Sequence, residues 1–210
     1  MRLGKSLIGN SVYGITDGRK LGQVKDLYLD DDLTSVVGLF LGKEGLLRPS
    51  PIFIERGDIA LFGIDAVLAK DTAAIHEGNA AAEPPSWLRL EQLRGREVKT
   101  PGGTRIGKIE DVALDEEARI TGFSLTNLSV TGPVAEAAAV GREAVEEVAT
   151  ADNAMTIDLA IAEQAPLAID LDRVFAESTA TEQPCEATTG VETKAPQQPG
   201  SLDQAGGQLP

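Results

Sequence analysis

Residues 18–30 read GRKLGQVKDLYLD, and residues 103–115 repeat them as GTRIGKIEDVALD. The two stretches share glycine, apolar and aspartate positions in the same order. Apolar residues recur near every second position around a central aspartate, Asp26 in the first stretch and Asp111 in the second. This is the period of a β-strand with one kink or bulge. The chain therefore contains an internal repeat built from strands.

The repeat continues on both sides of this stretch. Leu7-Ile8-Gly9 corresponds to Leu93-Arg94-Gly95, and residues 36–41, VVGLFL, correspond to residues 120–125, ITGFSL. Acidic runs separate the apolar runs in both copies, as expected of the turn in a hairpin. Five or six short strands in about 75 residues predict an all-β fold in which each copy forms a small β-barrel.

Composition divides the chain into four regions. Two copies with small insertions at turns predict two domains, residues 1–75 and 88–175, because arrays of open repeats usually need three or more units. Residues 76–87, which include Pro84-Pro85, are predicted to be a linker. Residues 176–210 are rich in Thr, Glu, Gln, Pro and Gly and lack aromatic residues, which predicts a disordered acidic tail.

One segment of the second copy carries conflicting signals. Residues 134–148 are rich in Ala and Glu, and propensity alone favours a helix there. The repeat instead aligns Val140-Gly141-Arg142 with Ile54-Glu55-Arg56. We therefore expect strand and turn from about residue 139 onward, and the sequence leaves open whether residues 133–138 form a helical turn.

The charge distribution limits what the chain can bind. The formal net charge is −14, with nets of −1 for residues 1–75, −9 for residues 76–175 and −4 for residues 176–210. Contact with phosphate backbones requires clustered Lys and Arg, so direct binding to nucleic acid is not expected. Any basic docking patch is expected in the first region, where neighbouring carboxylates do not outweigh it.

The chain offers few groups for catalysis. Its one histidine, His76, falls in the predicted linker, and its one cysteine, Cys185, falls in the predicted tail. No positioned acid, base or nucleophile is indicated, and neither a metal site nor a cofactor is predicted. A single cysteine forms no internal disulfide, and no apolar run reaches the about 18 residues of a membrane span. The sequence thus predicts a non-enzymatic, cytoplasmic protein.

The best candidate binding site in the sequence is the predicted hairpin tip that reads GKEGLLRP. Leu46 and Leu47 fall in a Gly-flanked connection where exposure is expected, and Lys43, Arg48 and Arg56 are close to them in sequence. An apolar tip rimmed by cations has the composition of a protein-docking surface. The alternative is that both leucines fold back and cap the end of the barrel.

The repeated segments resemble the PRC-barrel family. The resemblance covers residues 1–75 and, more weakly, residues 88–158, and it rests on the Gly, apolar and Asp pattern described above. Members of the family include the cytoplasmic barrel of the photosynthetic reaction-centre H subunit, the C-terminal domain of the ribosome-maturation factor RimM, and many stand-alone bacterial and archaeal proteins. The resemblance implies two tandem PRC-barrels, in a family whose barrels act by binding different proteins.

This resemblance leaves three functions open. The leading expectation is a bacterial protein-binding adaptor or assembly factor with an unidentified protein partner. One alternative is a RimM-like ribosome or RNA maturation factor that acts through a ribosomal protein, and another is a peripheral factor associated with photosynthetic membrane complexes. The H subunit carries a transmembrane helix and RimM a different N-terminal barrel, so neither role transfers residue by residue.

Overall fold

The computed structural model describes residues 1–44, 50–77, 87–149, 152–164 and 167. Short β-strands dominate these residues, which confirms the predicted all-β class. The helices among them are short, and none has the length and apolar character needed to span a bilayer. The predicted tail lies outside the described residues.

Each copy contributes its own series of elements. The strands of the first copy are β1 (Arg2–Leu3), β2 (Ser11–Gly14), β3 (Lys20–Gln23), β4 (Asp26–Leu29), β5 (Val36–Glu44), β6 (Ser50–Glu55), β7 (Ile59–Phe62), β8 (Ala66–Ala69) and β9 (His76–Glu77). The elements of the second copy are β10 (Leu88–Arg89), α1 (Leu90–Leu93), β11 (Glu97–Lys99), β12 (Arg105–Leu114), β13 (Ile120–Thr126), α2 (Pro133–Ala137), β14 (Ala139–Gly141), β15 (Val145–Glu147), β16 (Met155–Ile157) and α3 (Leu159–Gln164). The 3-10 segments that accompany these strands are Gly4–Leu7, Arg56–Asp58, Thr72–Ala74 and Arg142–Ala144.

Hydrogen bonding gives the two copies the same strand order. In the first copy, β3-β2-β8-β7 form one sheet, and β4-β5-β6-β9 lie in another. In the second copy, β14-β13-β12-β11-β16-β15 form one continuous sheet. The pairs β2 with β8 and β11 with β16 are parallel. Between described strands these sheets remain open, so the predicted barrels are not closed by a continuous ring of hydrogen bonds.

The central aspartate interrupts strand pairing in both copies, as the sequence predicts. The first copy is split there into β3 and β4, and in the second copy β12 continues with a register shift between Ile109 and Asp111. Asp26 and Asp111 are buried, and each accepts a hydrogen bond over 2.9 Å from the amide of the next residue, Leu27 or Val112. Each carboxylate thereby pairs a backbone donor at the bend.

From residue 139 onward, the repeat and not helix propensity decides the structure of the Ala- and Glu-rich segment. α2 ends at Ala137 and β14 begins at Ala139, which confirms the predicted strand. Ala138 between them has a left-handed φ of 48°, which ends the helix. Pairing of β14 with β13 then outweighs the local preference for helix, because tertiary pairing routinely overrides propensity.

Each copy begins with a short strand that pairs with the other copy. β1 lies antiparallel to the end of β12, and β10 lies antiparallel to β4. Ser35 forms an isolated bridge with Arg119, its equivalent in the repeat. The amide of Val36 donates to the carbonyl of Ala118 over 3.0 Å, and the reciprocal bond from the second copy measures 2.8 Å. The two copies are thus related by an internal pseudo-two-fold axis.

One apolar core runs through both copies. Leu7 and Leu33 of the first copy belong to the same buried cluster as Leu90 and Phe123 of the second. All four side chains are fully buried. The core therefore continues across the boundary between the copies, and burial of apolar surface holds them together in addition to the exchanged strands.

Both ends of the predicted linker 76–87 are part of this fold. β9 pairs with β6, and His76, interpreted from the sequence as a solvated linker residue, stacks on Phe53 with ring centroids 5.4 Å apart. Trp87 packs against Tyr28 at 5.3 Å. The linker residues between these ends lie outside the described part of the chain. That the copies fold as separate units stays a prediction.

Candidate functional site on the outer face of the first copy

The hairpin tip proposed from the sequence is only partly within the described chain. Leu46, Leu47 and Arg48 lie outside the described residues. Lys43 is exposed near the end of β5, opposite Pro51 of β6. Lys43 is therefore the one cation of the tip that lies within the described residues.

Arg56 is used in the contact between the copies. Its guanidinium lies over the ring of Phe62, 5.0 Å from the centroid, and donates to the carbonyl of Glu117 in the second copy over 3.2 Å. Arg142, its equivalent, donates to the carbonyl of Leu33 in the first copy over 3.0 Å. The structure thus places Arg56 at the pseudo-two-fold contact, and no contact between described residues joins it to Lys43.

A different surface of the first copy has the composition of a docking site. Val12 and Val67 point into the core from the sheet β3-β2-β8-β7, so their neighbours along each strand point outward. Strand pairing aligns outward residues in one row, with Lys20 beside Tyr13, Tyr13 beside Leu68, and Leu68 beside Leu61. We call Tyr13, Leu68 and Leu61 the apolar row.

The apolar row and its surroundings are in contact with solvent. Leu61 is 54% exposed, and Tyr13 and Leu68 are half-buried. Two other apolar side chains next to the same strands are exposed, Ile15 at 56% after β2 and Ile64 at 74% in the turn between β7 and β8. Single exposed apolar residues are ordinary on a protein surface, but a group of them around one sheet is typical of interaction surfaces.

The second copy contains the same row in the same register, and there it is polar. The corresponding residues pair as Arg105 beside Lys99, Lys99 beside Thr156, and Thr156 beside Glu147. Lys99 donates to Asp152 over 2.6 Å and lies 3.3 Å from Glu97, so its charge is compensated within the second copy. The same strand pairing forms in the second copy with polar side chains at these positions. The apolar side chains of the first copy are therefore not needed for strand pairing.

Two arginine side chains donate hydrogen bonds to backbone carbonyls in and directly after β7. Arg2 donates to the carbonyls of Phe62 and Gly63 over 3.1 and 2.9 Å, and Arg56 donates to the carbonyl of Ile59 over 3.2 Å. Both guanidinium groups also lie over the Phe62 ring. A strand added at β7 would have to displace these bonds, so the geometry favours docking on the face of the sheet over pairing at this edge.

The buried carboxylates serve the contact between the copies. Burial raises the pKa of both Asp26 and Asp111, against the opposing effect of donors that stabilise the charged form. Oδ2 of Asp26 accepts from Nε of Arg89 over 2.8 Å, and Oδ2 of Asp111 accepts from the amide of Lys5 over 2.9 Å. Each carboxylate is therefore bound by the opposite copy, which is a structural use of both groups.

The described residues do not assemble a metal centre. No group of three or more His, Cys, Asp or Glu within them is placed to hold a metal ion. Two open depressions lie on the second copy around Lys99 and Asp152. These two side chains are paired with each other across 2.6 Å.

Sequence reasoning missed the apolar row because strand register decides which residues become neighbours. Tyr13 and Leu68 are far apart in the chain, and the parallel pairing of β2 with β8 brings them together. One signal was nevertheless present in the sequence. Extending the repeat alignment to these strands puts Tyr13 opposite Lys99 and Leu61 opposite Glu147, a change from apolar to charged that a comparison of the copies could have found.

Comparison with known proteins supports the assignment made from the repeated segments. Residues 1–74 match the family model of the PRC-barrel domain. No curated protein matches the chain. The matched range contains β1 to β8, and thus both the apolar row and the strand that is exchanged with the second copy. The first copy of this chain is therefore similar to the PRC-barrel domain.

Proposed function

We propose that the chain is a non-enzymatic protein-binding adaptor or assembly factor whose first copy docks a partner on the sheet β3-β2-β8-β7. The observation that carries the proposal is the apolar row, which stands where the second copy has Lys99, Thr156 and Glu147. Covering a leucine side chain gains about 1.5–3 kcal/mol, so a partner that buries the row gains binding free energy.

The second copy supports this role as a scaffold. β10 pairs with β4, and Arg89 binds the buried Asp26, so the second copy is joined to the sheet region next to the docking face. Its own row is charged and polar, and residues 76–175 carry a net charge of −9, which favours solubility. One copy then binds and the other keeps the assembly soluble, which gives one docking face per chain.

The absence of catalysis and a cytoplasmic location belong to the same proposal. The carboxylates whose pKa is raised, Asp26 and Asp111, are occupied by donors of the opposite copy, which fits a structural use better than acid–base chemistry. The single Cys185 fits a reducing compartment.

The test grafts the residues of the second copy into the first. The double variant Leu61→Glu, Leu68→Thr carries the side chains that the equivalent strands already accommodate. The tagged full chain and the variant are used to capture proteins from a lysate of the source organism, and the captured proteins are quantified by mass spectrometry. We expect at least one protein to be lost about tenfold or more with the variant, while the circular dichroism spectrum stays unchanged.

The matched control is Ile161→Glu, which adds a charge at an exposed apolar residue of α3 in the second copy. Proteins bound through the apolar row remain with this control. The variant Leu46→Ser, Leu47→Ser tests the tip predicted from the sequence in the same experiment. Capture that is lost with this variant and kept with the row variant places docking at the tip and contradicts the proposal.

A further inference from the structure

Exposed cations flank the β3 end of the apolar row. Lys20 is the next residue of the row, on β3, and Arg19 and Lys25 are exposed before and after this strand. Asp17 is the acidic residue nearest to Arg19 and Lys20 in sequence, and its Oδ2 lies 4.0 Å from Nε of Arg19. The β3 side of the docking face is therefore positively charged in a chain whose net charge is −14.

The charge of Lys20 is not compensated by the part of the chain that the structure describes, where it has no ion pair. Nζ of Lys25 donates to the neutral Oε1 of Gln23 over 3.0 Å. In the second copy the equivalent cation, Arg105, lies 3.9 Å from Glu97. The first copy thus presents a cation at a position where the second copy supplies its own carboxylate.

Cations near the β7 end of the row are held by groups of the chain itself. Lys70 pairs with Asp58 over 3.4 Å, and Arg56 is bound to the carbonyls of Ile59 and Glu117. Lys20, which pairs with Tyr13, is therefore an exposed cation at the β3 end of the docking face, whereas Arg56 and Lys70 near β7 are already bound by groups of the chain. A partner must match this arrangement.

We infer that the partner docks an acidic amphipathic helix, with apolar side chains on the row and carboxylates over Lys20. This inference rests on the proposed docking function. Neighbouring strands lie about 4.8 Å apart and one helical turn rises about 5.4 Å, so a helix laid across the strands puts about one side chain on each. Apolar residues on successive turns then meet Leu61, Leu68 and Tyr13, and an acidic residue on the next turn meets Lys20.

Salt screening limits which charges of the chain act on a docked helix. At physiological ionic strength the Debye length is about 8 Å, so the more distant carboxylates of the chain act weakly on a docked helix. Lys20 on β3 pairs directly with Tyr13, which is the residue of the apolar row nearest to β3. The charge next to the row therefore selects the partner, and it favours carboxylates over cations.

The test measures fluorescence anisotropy with the full chain and two labelled synthetic helices. One helix carries a leucine stripe flanked by glutamates, and the other is identical except that lysines replace the glutamates. We expect the glutamate helix to bind at least about tenfold more tightly than the lysine helix. Lys20→Glu should remove this preference, whereas Arg105→Glu, the equivalent change in the second copy, should leave it unchanged.

Two outcomes separate this inference from the proposed function. If both helices bind equally and Leu61→Glu, Leu68→Thr abolishes both, the face docks proteins but the partner is not selected by its acidity, and the inference is wrong. If the glutamate helix does not bind, the inference is also wrong, while the capture experiment decides the proposed function independently.

Other occupants of the face give distinct results with the same full chain. Sedimentation that shows a dimer dissolved by Leu61→Glu, Leu68→Thr would make a second copy of the chain the occupant. Carbodiimide cross-links from Lys20 to carboxylates of residues 168–210 in the monomer would make the chain's own C-terminal segment the occupant. Either result overturns the inference. A monomer without such cross-links that binds the glutamate helix supports it.

Discussion

Arg89 of the second copy donates from Nε to Oδ2 of Asp26 in the first copy across 2.8 Å, and the Asp26 side chain is almost fully buried. The same guanidinium lies over the ring of Phe40, 4.3 Å from its centroid. Removing one member of a buried ion pair leaves the other uncompensated and costs about 3–5 kcal/mol. Since the pair lies where β10 joins β4, it couples the strand exchange to the stability of the first copy.

Asp26→Ala should therefore lower the free energy of unfolding by about 3 kcal/mol, because the amide of Leu27 and the guanidinium of Arg89 both lose an acceptor. Urea denaturation followed by circular dichroism measures the loss. Glu91→Ala is the control: Glu91 also pairs with Arg89, over 3.2 Å, but its side chain is 75% exposed. Such surface pairs contribute about 0–1 kcal/mol. Equal losses in the two variants would contradict the role of burial.

The raised pKa of Asp111 should be visible in the pH dependence of the free energy of unfolding. Burial raises the pKa of its carboxyl in the folded chain. A carboxyl that binds its proton more tightly when folded makes a contribution that falls as pH rises from its unfolded pKa of about 3.9. Asp111→Asn removes that titration. The free energy of unfolding of the variant should therefore rise relative to the wild type between about pH 4 and the folded pKa, and urea titrations at successive pH values measure this difference.

Asp30 provides a comparison of opposite sign. Although its partial burial acts to raise the pKa, hydrogen bonds from Thr34 and Ser35 outweigh that effect and lower it. Its contribution to stability is present above the unfolded pKa and is lost as pH falls through the folded pKa. Asp30→Asn should thus become less stable relative to the wild type as pH rises. The same slope in both variants would show that burial does not govern Asp111.

Local periodicity was sufficient to predict the strands, the kink at each central aspartate and the strand at Ala139, because each depends on residues close in sequence or on the repeat. The exchange of β1 and β10 could not be predicted, since both are very short strands whose partners lie in the other copy. Arg56 shows the same limit at the candidate site. Its closeness to the tip in sequence suggested docking, whereas the pseudo-two-fold axis places it on Glu117.

The exchanged strand β1 should stabilise the second copy. Leu3 is 1% exposed and pairs with Ala113 of β12. Leu3→Ala should cost about 2–5 kcal/mol, the usual range for truncating a buried leucine. Hydrogen exchange measured by mass spectrometry should accelerate at the end of β12, although the substitution lies in the first copy. Ile15→Ala, at an exposed apolar side chain of the first copy, should leave hydrogen exchange in β12 unchanged. If hydrogen exchange accelerated only in the first copy, that result would contradict a stabilising role of β1 in the second copy.

Cutting the chain between the copies should leave the two pieces bound to each other. A protease site introduced within residues 78–86 separates residues 1–77 from the second copy, yet β1 remains paired with β12 and β10 with β4. The shared core, in which Leu33 and Phe123 belong to one cluster, opposes separation as well. After cleavage under native conditions, size-exclusion chromatography should therefore show one complex with the mass of the uncut chain, and urea should release two peaks. If the pieces already elute apart without urea, the copies are independent folding units and the intercopy contacts contribute little to stability.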